Sequence, residues 1–127
     1  MILYLDTHSV VWLYERARER FPRRAQTALD HSRLLICPMV GLELEYLFET
    51  DRIAIGADPI LTHLRDRIGL TVDDTSFATV AAHARKLKWT RDPFDRLITA
   101  AAAINGCALL TKDRTIRDNF PQAVWDD

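Results

Sequence analysis

Three short apolar runs, Ile2-Leu3-Tyr4-Leu5, Leu34-Leu35-Ile36-Cys37 and Cys107-Ala108-Leu109-Leu110, constrain this chain more than any other feature. A strand exposed on one face alternates apolar with polar residues. A run without alternation has to be covered on both faces, which is the habit of parallel sheets wrapped by helices. Longer amphipathic stretches separate the runs. A helical run through Trp12 and Tyr14 follows Asp6-Thr7-His8, and a second helix is expected to open at Pro22. Met39 to Thr50 reads as a helix, as does Asp58 to Ile68, with Asp58 as cap and Pro59 in the first helical position. Leu70-Thr71-Val72 is a shorter strand, and Thr75 or Ser76 caps a helix to about Lys88. Pro93 opens an alanine-rich helix through Asn105 that Gly106 stops, and a last short strand is expected near Val124-Trp125. The alternation predicts an α/β fold, a three-layer sandwich with a central, mainly parallel sheet, filled by one domain of 127 residues.

Composition narrows the function classes. Seventeen Lys and Arg against eighteen Asp and Glu give a net charge of -1, so the chain lacks the basic excess of a typical duplex-DNA module. Any contact with nucleic acid has to come from a local patch, or from metal ions that cancel acidic residues. The two cysteines, Cys37 and Cys107, each close or open an apolar run and read as buried strand positions rather than a disulfide framework. MILYLD is too short for a signal peptide or a membrane span, so the expected location is cytoplasmic, with no membrane partner.

In parallel α/β sheets ligands bind beyond the carboxyl ends of the strands, and that rule selects residues. Asp6 directly follows the first apolar run, and Asp113 follows the last one after Thr111-Lys112. Either alone reads equally well as an ordinary turn or helix-start aspartate. Glu43 is sharper. At 100° per residue, Met39, Val40, Leu44, Tyr46, Leu47 and Phe48 spread over one broad arc, and Glu43 falls inside it. A glutamate there needs a cation, an arginine partner or a route to the rim. Asp92 and Asp95 head the alanine-rich helix about 60° apart on the wheel, so both carboxylates point the same way. Asp92 suits an N-cap; Asp95 borders the packed face of Phe94, Ile98 and Ala102. Four or five carboxylates around one cavity cannot all stay ionised without cations. Oxygen ligands without cysteine or clustered histidine favour Mg²⁺ or Mn²⁺ over zinc, an apparatus suited to cutting phosphodiesters.

Four segments, LYLDTH, CPMVGLELEYL, RDPFDRLITAAA and GCALLTKD, occur in the order and spacing of a PIN domain, which the chain resembles over nearly its whole length. The resemblance places the family's acidic quartet on Asp6, Glu43, Asp95 and Asp113. It leaves Asp92 as a helper for a second ion or a simple cap, and puts Thr111 where relatives carry a serine or threonine near the metal. Pro38 departs from the serine often found before the glutamate helix. Small members of this kind resemble VapC-type toxins. This implies a Mg²⁺-dependent endoribonuclease cutting structured RNA, a homodimer, and silencing by a small antitoxin protein. On that reading Asp6, Asp95 and Asp113 hold the ions, Glu43 orients or deprotonates water, and Arg114 is a candidate phosphate contact.

Two basic clusters stand beside this set: Arg16, Arg18, Arg20, Arg23 and Arg24, which Glu15 and Glu19 make look like a solvated face, and Arg85, Lys86, Lys88 and Arg91. The four histidines are scattered and read as structural or exposed; Trp12, Tyr14, Tyr46 and Phe48 read as core or dimer-interface residues. Two alternatives remain on sequence grounds. A phospho-accepting receiver domain shares the architecture and a lysine near a strand-end aspartate, here Lys112, but needs paired acids after the first strand. A catalytically inactive PIN-like RNA-binding module would lack the full acid set.

Overall fold

The computed structural model describes residues 1–126. Five strands form the sheet: β1 (Ile2–Leu5), β2 (Arg33–Ile36), β3 (Thr71–Val72), β4 (Ala108–Leu110) and β5 (Ala123–Val124). Their order is β3-β2-β1-β4-β5, and every pairing is parallel. Leu3 sits opposite Leu34 on one side and Ala108 on the other. The first strand is therefore central, with the chain winding outward through β2 and β3 and then returning to β4 on the other flank. The order reverses between β1 and β4. Beyond their carboxyl ends lies the crevice where such sheets receive ligands.

Seven α-helices cover the sheet: α1 (Thr7–Tyr14), α2 (Arg23–Asp30), α3 (Pro38–Glu49), α4 (Ala57–Ile68), α5 (Phe77–Ala84), α6 (Pro93–Ile104) and α7 (Arg114–Asn119). Leu3, Tyr4, Leu5, Ile36, Leu109 and Leu110 are almost wholly buried, as both-face coverage requires. Ala100, Ala101 and Ala102 are fully buried, and their small side chains let α6 lie close to its neighbours. No helix of the described residues is long and apolar enough to cross a membrane.

The fold departs from the expected elements at several points. Cys37 is buried but lies just past β2 as the N-cap of α3, and Cys107, half-buried, precedes β4. Pro38 is the first residue of α3, where its missing N–H costs nothing. Asp58 does not cap α4. Gly56 holds the cap position, and the acceptor for Ala57 N–H is Glu45 Oε1 from α3, at 3.1 Å. A Cβ on Gly56 would stand 3.1 Å from that same oxygen, so glycine makes the close approach possible. α5 stops at Ala84, short of Lys88. Tyr46 and Phe48 are 46% and 40% exposed, so the buried stripe of α3 is Val40, Leu44 and Leu47 alone. Helix α7 was unforeseen.

Helix ends follow a common device. After α6, Gly106 takes φ 65°, and Cys107 N–H donates to Ala102 O at 3.0 Å while Gly106 N–H donates to Ala103 O at 3.1 Å. This is the Schellman arrangement, and the left-handed residue carries its cost. Gly106→Ala should lower stability by about 1 kcal/mol, a fall in denaturation midpoint readable by urea titration.

Candidate active site

Of the helices that start at the carboxyl edge of the sheet, three have that start fixed by an aspartate. Asp6 Oδ1 accepts from Ser9 N–H at 2.9 Å to cap α1. Asp92 Oδ1 accepts from Phe94 and Asp95 N–H at 2.8 and 3.3 Å to cap α6. Asp113 Oδ1 accepts from Ile116 N–H at 2.9 Å to cap α7. Each cap satisfies otherwise unpaired N–H groups and places a carboxylate at a positive helix terminus. Capping uses only one oxygen of each carboxylate.

Asp95, in the first turn of α6, and Glu43, in the middle of α3, complete the set. Asp6, Glu43, Asp92, Asp95 and Asp113 line a single cleft of about 150 Å³, together with Thr7, His8, Ile98 and Ile116. All five acids singled out in the sequence are thus brought together. Thr111 and Arg114 are not in the lining. Thr111 is fully buried behind it, its hydroxyl accepting from Asp113 N–H at 3.0 Å. Arg114 points away, 3.6 Å from Asp118 with its side chain 82% exposed, so the expected phosphate contact is not in place.

Sequence reasoning missed two contributors. The buried Thr7 hydroxyl donates to Glu43 Oε1, joining α1 to α3 across the cleft. His8, read as a bland exposed residue, lines the mouth and is the one basic side chain there. Their position immediately after Asp6, on the helix that Asp6 caps, was the available signal.

The electrostatics are those of a site short of positive charge. Burial pushes the Asp6 carboxyl above its ordinary range, while Thr111 and Ser9 favour its charged form. Burial likewise raises Glu43, opposed by the Thr7 hydroxyl and reinforced by Asp92. Asp95 is pushed up to about 7, first by burial and then by Asp92, Asp113, Glu43 and Asp6. None of the five is in an ion pair among the described residues. The donor set is all oxygen, which suits a hard dication. As placed, no three of the described Asp, Glu, His or Cys side chains close around a common point.

The PIN-domain profile matches residues 3–119. The chain belongs to the PIN-domain family. This PIN-domain chain is 33% identical to Ribonuclease VapC22 of Mycobacterium tuberculosis over 127 residues, covering 95% of the chain and 96% of the relative. Among solved structures it resembles a chain of VapBC2 from Rickettsia felis bound to a promoter DNA fragment, at 18% identity and TM-score 0.70, over 99% of this chain and 98% of that one. It also resembles a chain of a toxin–antitoxin complex from Klebsiella pneumoniae, at 15% identity and TM-score 0.62, over 96% and 95% of the two chains. These two likenesses establish a shared fold, and PIN-domain membership removes the receiver-domain alternative.

Proposed function

We propose that this chain is a divalent-metal-dependent endoribonuclease and the toxin of a type II toxin–antitoxin pair, checked by a small antitoxin protein. The carrying observation is the convergence of five carboxylates, none in an ion pair among the described residues, at the switch point of the sheet. Likeness to a ribonuclease and to toxin–antitoxin complexes supplies the substrate class and the partner. The reading extends to structured RNA as substrate, Mg²⁺ or Mn²⁺ as cofactor, and a homodimer, which sedimentation velocity would test.

On this reading Asp6, Asp95 and Asp113 would hold the ion, with Asp92 assisting. Held there, a divalent ion would supply water activation and charge neutralisation at the scissile phosphate. Glu43, its carboxyl raised by burial, orients the attacking water and takes its proton. Thr7 fixes the Glu43 carboxylate, and Thr111 fixes the Asp113 backbone. His8 offers a donor to a phosphate oxygen at the mouth.

The test is incubation with total bacterial RNA, with Mg²⁺ and then with excess chelator. Cleavage that stops with chelation and returns with Mg²⁺ is expected. RNA left intact under every metal condition would leave only an inactive PIN-like binding module. Thr7→Val keeps side-chain volume but removes the hydroxyl that holds Glu43. It is expected to lower kcat about 10-fold, less than the roughly 10²–10⁴-fold of whole general-base assistance because Glu43 itself remains, with an unchanged circular-dichroism spectrum.

A further inference from the structure

Helix α1 carries the acidic cleft at its start and a second, oppositely charged pocket at its end. That pocket holds about 160 Å³ and is lined by Leu13, Arg16, His63, Leu64, Arg67 and Ile68. Its polar groups are two arginines and a histidine, with no carboxylate among them. The sequence shows Arg16 in a run of arginines interleaved with Glu15 and Glu19. The fold sorts that run. Arg18 pairs with Asp30 at 2.6 Å, and Arg20 lies 3.8 Å from Glu15. Neither Arg16 nor Arg67 is in an ion pair among the described residues. His63 is held edge-on against Tyr14, ring centroids 5.3 Å apart.

Arg16 occupies its place at a backbone cost. Ala17 N–H donates to Trp12 O at 2.9 Å and Arg16 N–H to Leu13 O at 3.2 Å, the same Schellman closure seen after α6. Arg16 is its left-handed residue, at φ 58°. Glycine fills that position after α6, and aspartate, whose short side chain tolerates it better, does so after α3 at Asp51. An arginine there is unfavourable for the turn itself, so its side chain is the feature that needs accounting for.

We propose that Arg16, Arg67 and His63 form a phosphate-binding subsite for the RNA backbone, on the flank of the cleft where the strand continues past the scissile bond. This rests on the nuclease reading above. The acidic cleft repels the polyanion it would cut, so grip has to come from elsewhere on the protein. Nine residues, about 13 Å at helical rise, separate Thr7 in the cleft from Arg16 in the turn that closes α1, a span that a few nucleotides cover. Arginine guanidinium groups present forked donors that match phosphate oxygens.

The test uses an Asp6→Asn protein, so that binding is read without cleavage. A fluorescein-labelled single-stranded RNA of random sequence is titrated by anisotropy across a range of KCl concentrations. Adding Arg16→Gly and Arg67→Gln should weaken binding at least 10-fold at low salt and flatten the dependence of log K on log salt by about 1 to 2. Arg16→Gly alone should leave the melting temperature equal or higher, which separates a lost contact from a damaged fold. In the active protein the same pair should raise KM while kcat stays near the parent value. Equal affinity and equal salt slope in parent and variant would overturn the subsite, as would failure of the parent to bind RNA. Weakened binding of a protein partner with RNA binding intact would also overturn it, assigning the pocket to protein docking. Each of these outcomes leaves the chelator result for wild-type protein untouched, so the nuclease reading stands or falls separately.

Discussion

Asp6→Asn is expected to reduce RNA cleavage by roughly 10³-fold, the scale of removing a principal electrostatic element from an active site, while the protein stays folded. The asparagine Oδ1 can still accept from Ser9 N–H, so the α1 cap survives. What disappears is one carboxylate charge at a buried position at the junction of β1 and α1. If that charge holds a dication, the variant keeps its near-native spectrum and loses both cleavage and the response to added Mg²⁺. Cleavage of total RNA at the wild-type rate by a folded Asp6→Asn protein would remove the proposed chemistry.

The second large effect runs in the opposite direction. Asp95→Asn should destroy activity yet stabilise the metal-free protein. An unfolded aspartate titrates near 4, whereas the folded carboxyl is pushed up to about 7 by burial and four neighbouring acids. Between these values the folded chain holds a proton that the unfolded chain has released. The stability attached to this group is therefore fully present below about pH 4 and lost as pH rises through about 7. At about pH 8 the asparagine variant should gain on the order of 1–2 kcal/mol, the full electrostatic cost being discounted for the solvent that reaches a half-buried group. Near pH 4 the gain should vanish. Saturating Mg²⁺ should stabilise wild type by mass action and move the variant much less. Thermal melts at both pH values, with chelator and with Mg²⁺, check all four expectations; equal melting temperatures for the two proteins at pH 8 in chelator would contradict the crowding of charge at Asp95.

How far the sequence disclosed this arrangement follows from what each signal depends on. The unbroken runs ILYL, LLIC and CALL located three strands within a residue because burial on both faces leaves no other reading. Asp6 and Asp113 were legible from strand ends, and Asp92 from the proline after it. Glu43 was found for a partly mistaken reason. Its arc included Tyr46 and Phe48, which the fold leaves exposed, and its inward orientation survives because Val40, Leu44 and Leu47 are buried. Helix α7 is six residues with one buried side chain, Ile116, too short to show a period. The Glu45 cap on α4 and the Thr7 bond to Glu43 depend on chain segments distant in sequence, so no local pattern announces them. The convergence of Arg16 with Arg67 has the same origin.

The central position of the first strand has a consequence for synthesis. β1 emerges first from the ribosome but acquires its second flanking strand only when β4 has been made, with more than a hundred residues between Leu3 and Ala108. Asp113, one wall of the cleft, comes later still. A nascent chain therefore carries Asp6 and Glu43 for most of translation with no enclosed cavity between them. An enzyme that attacks RNA would be built beside abundant RNA in a harmless form, becoming competent only as its last strands close the sheet.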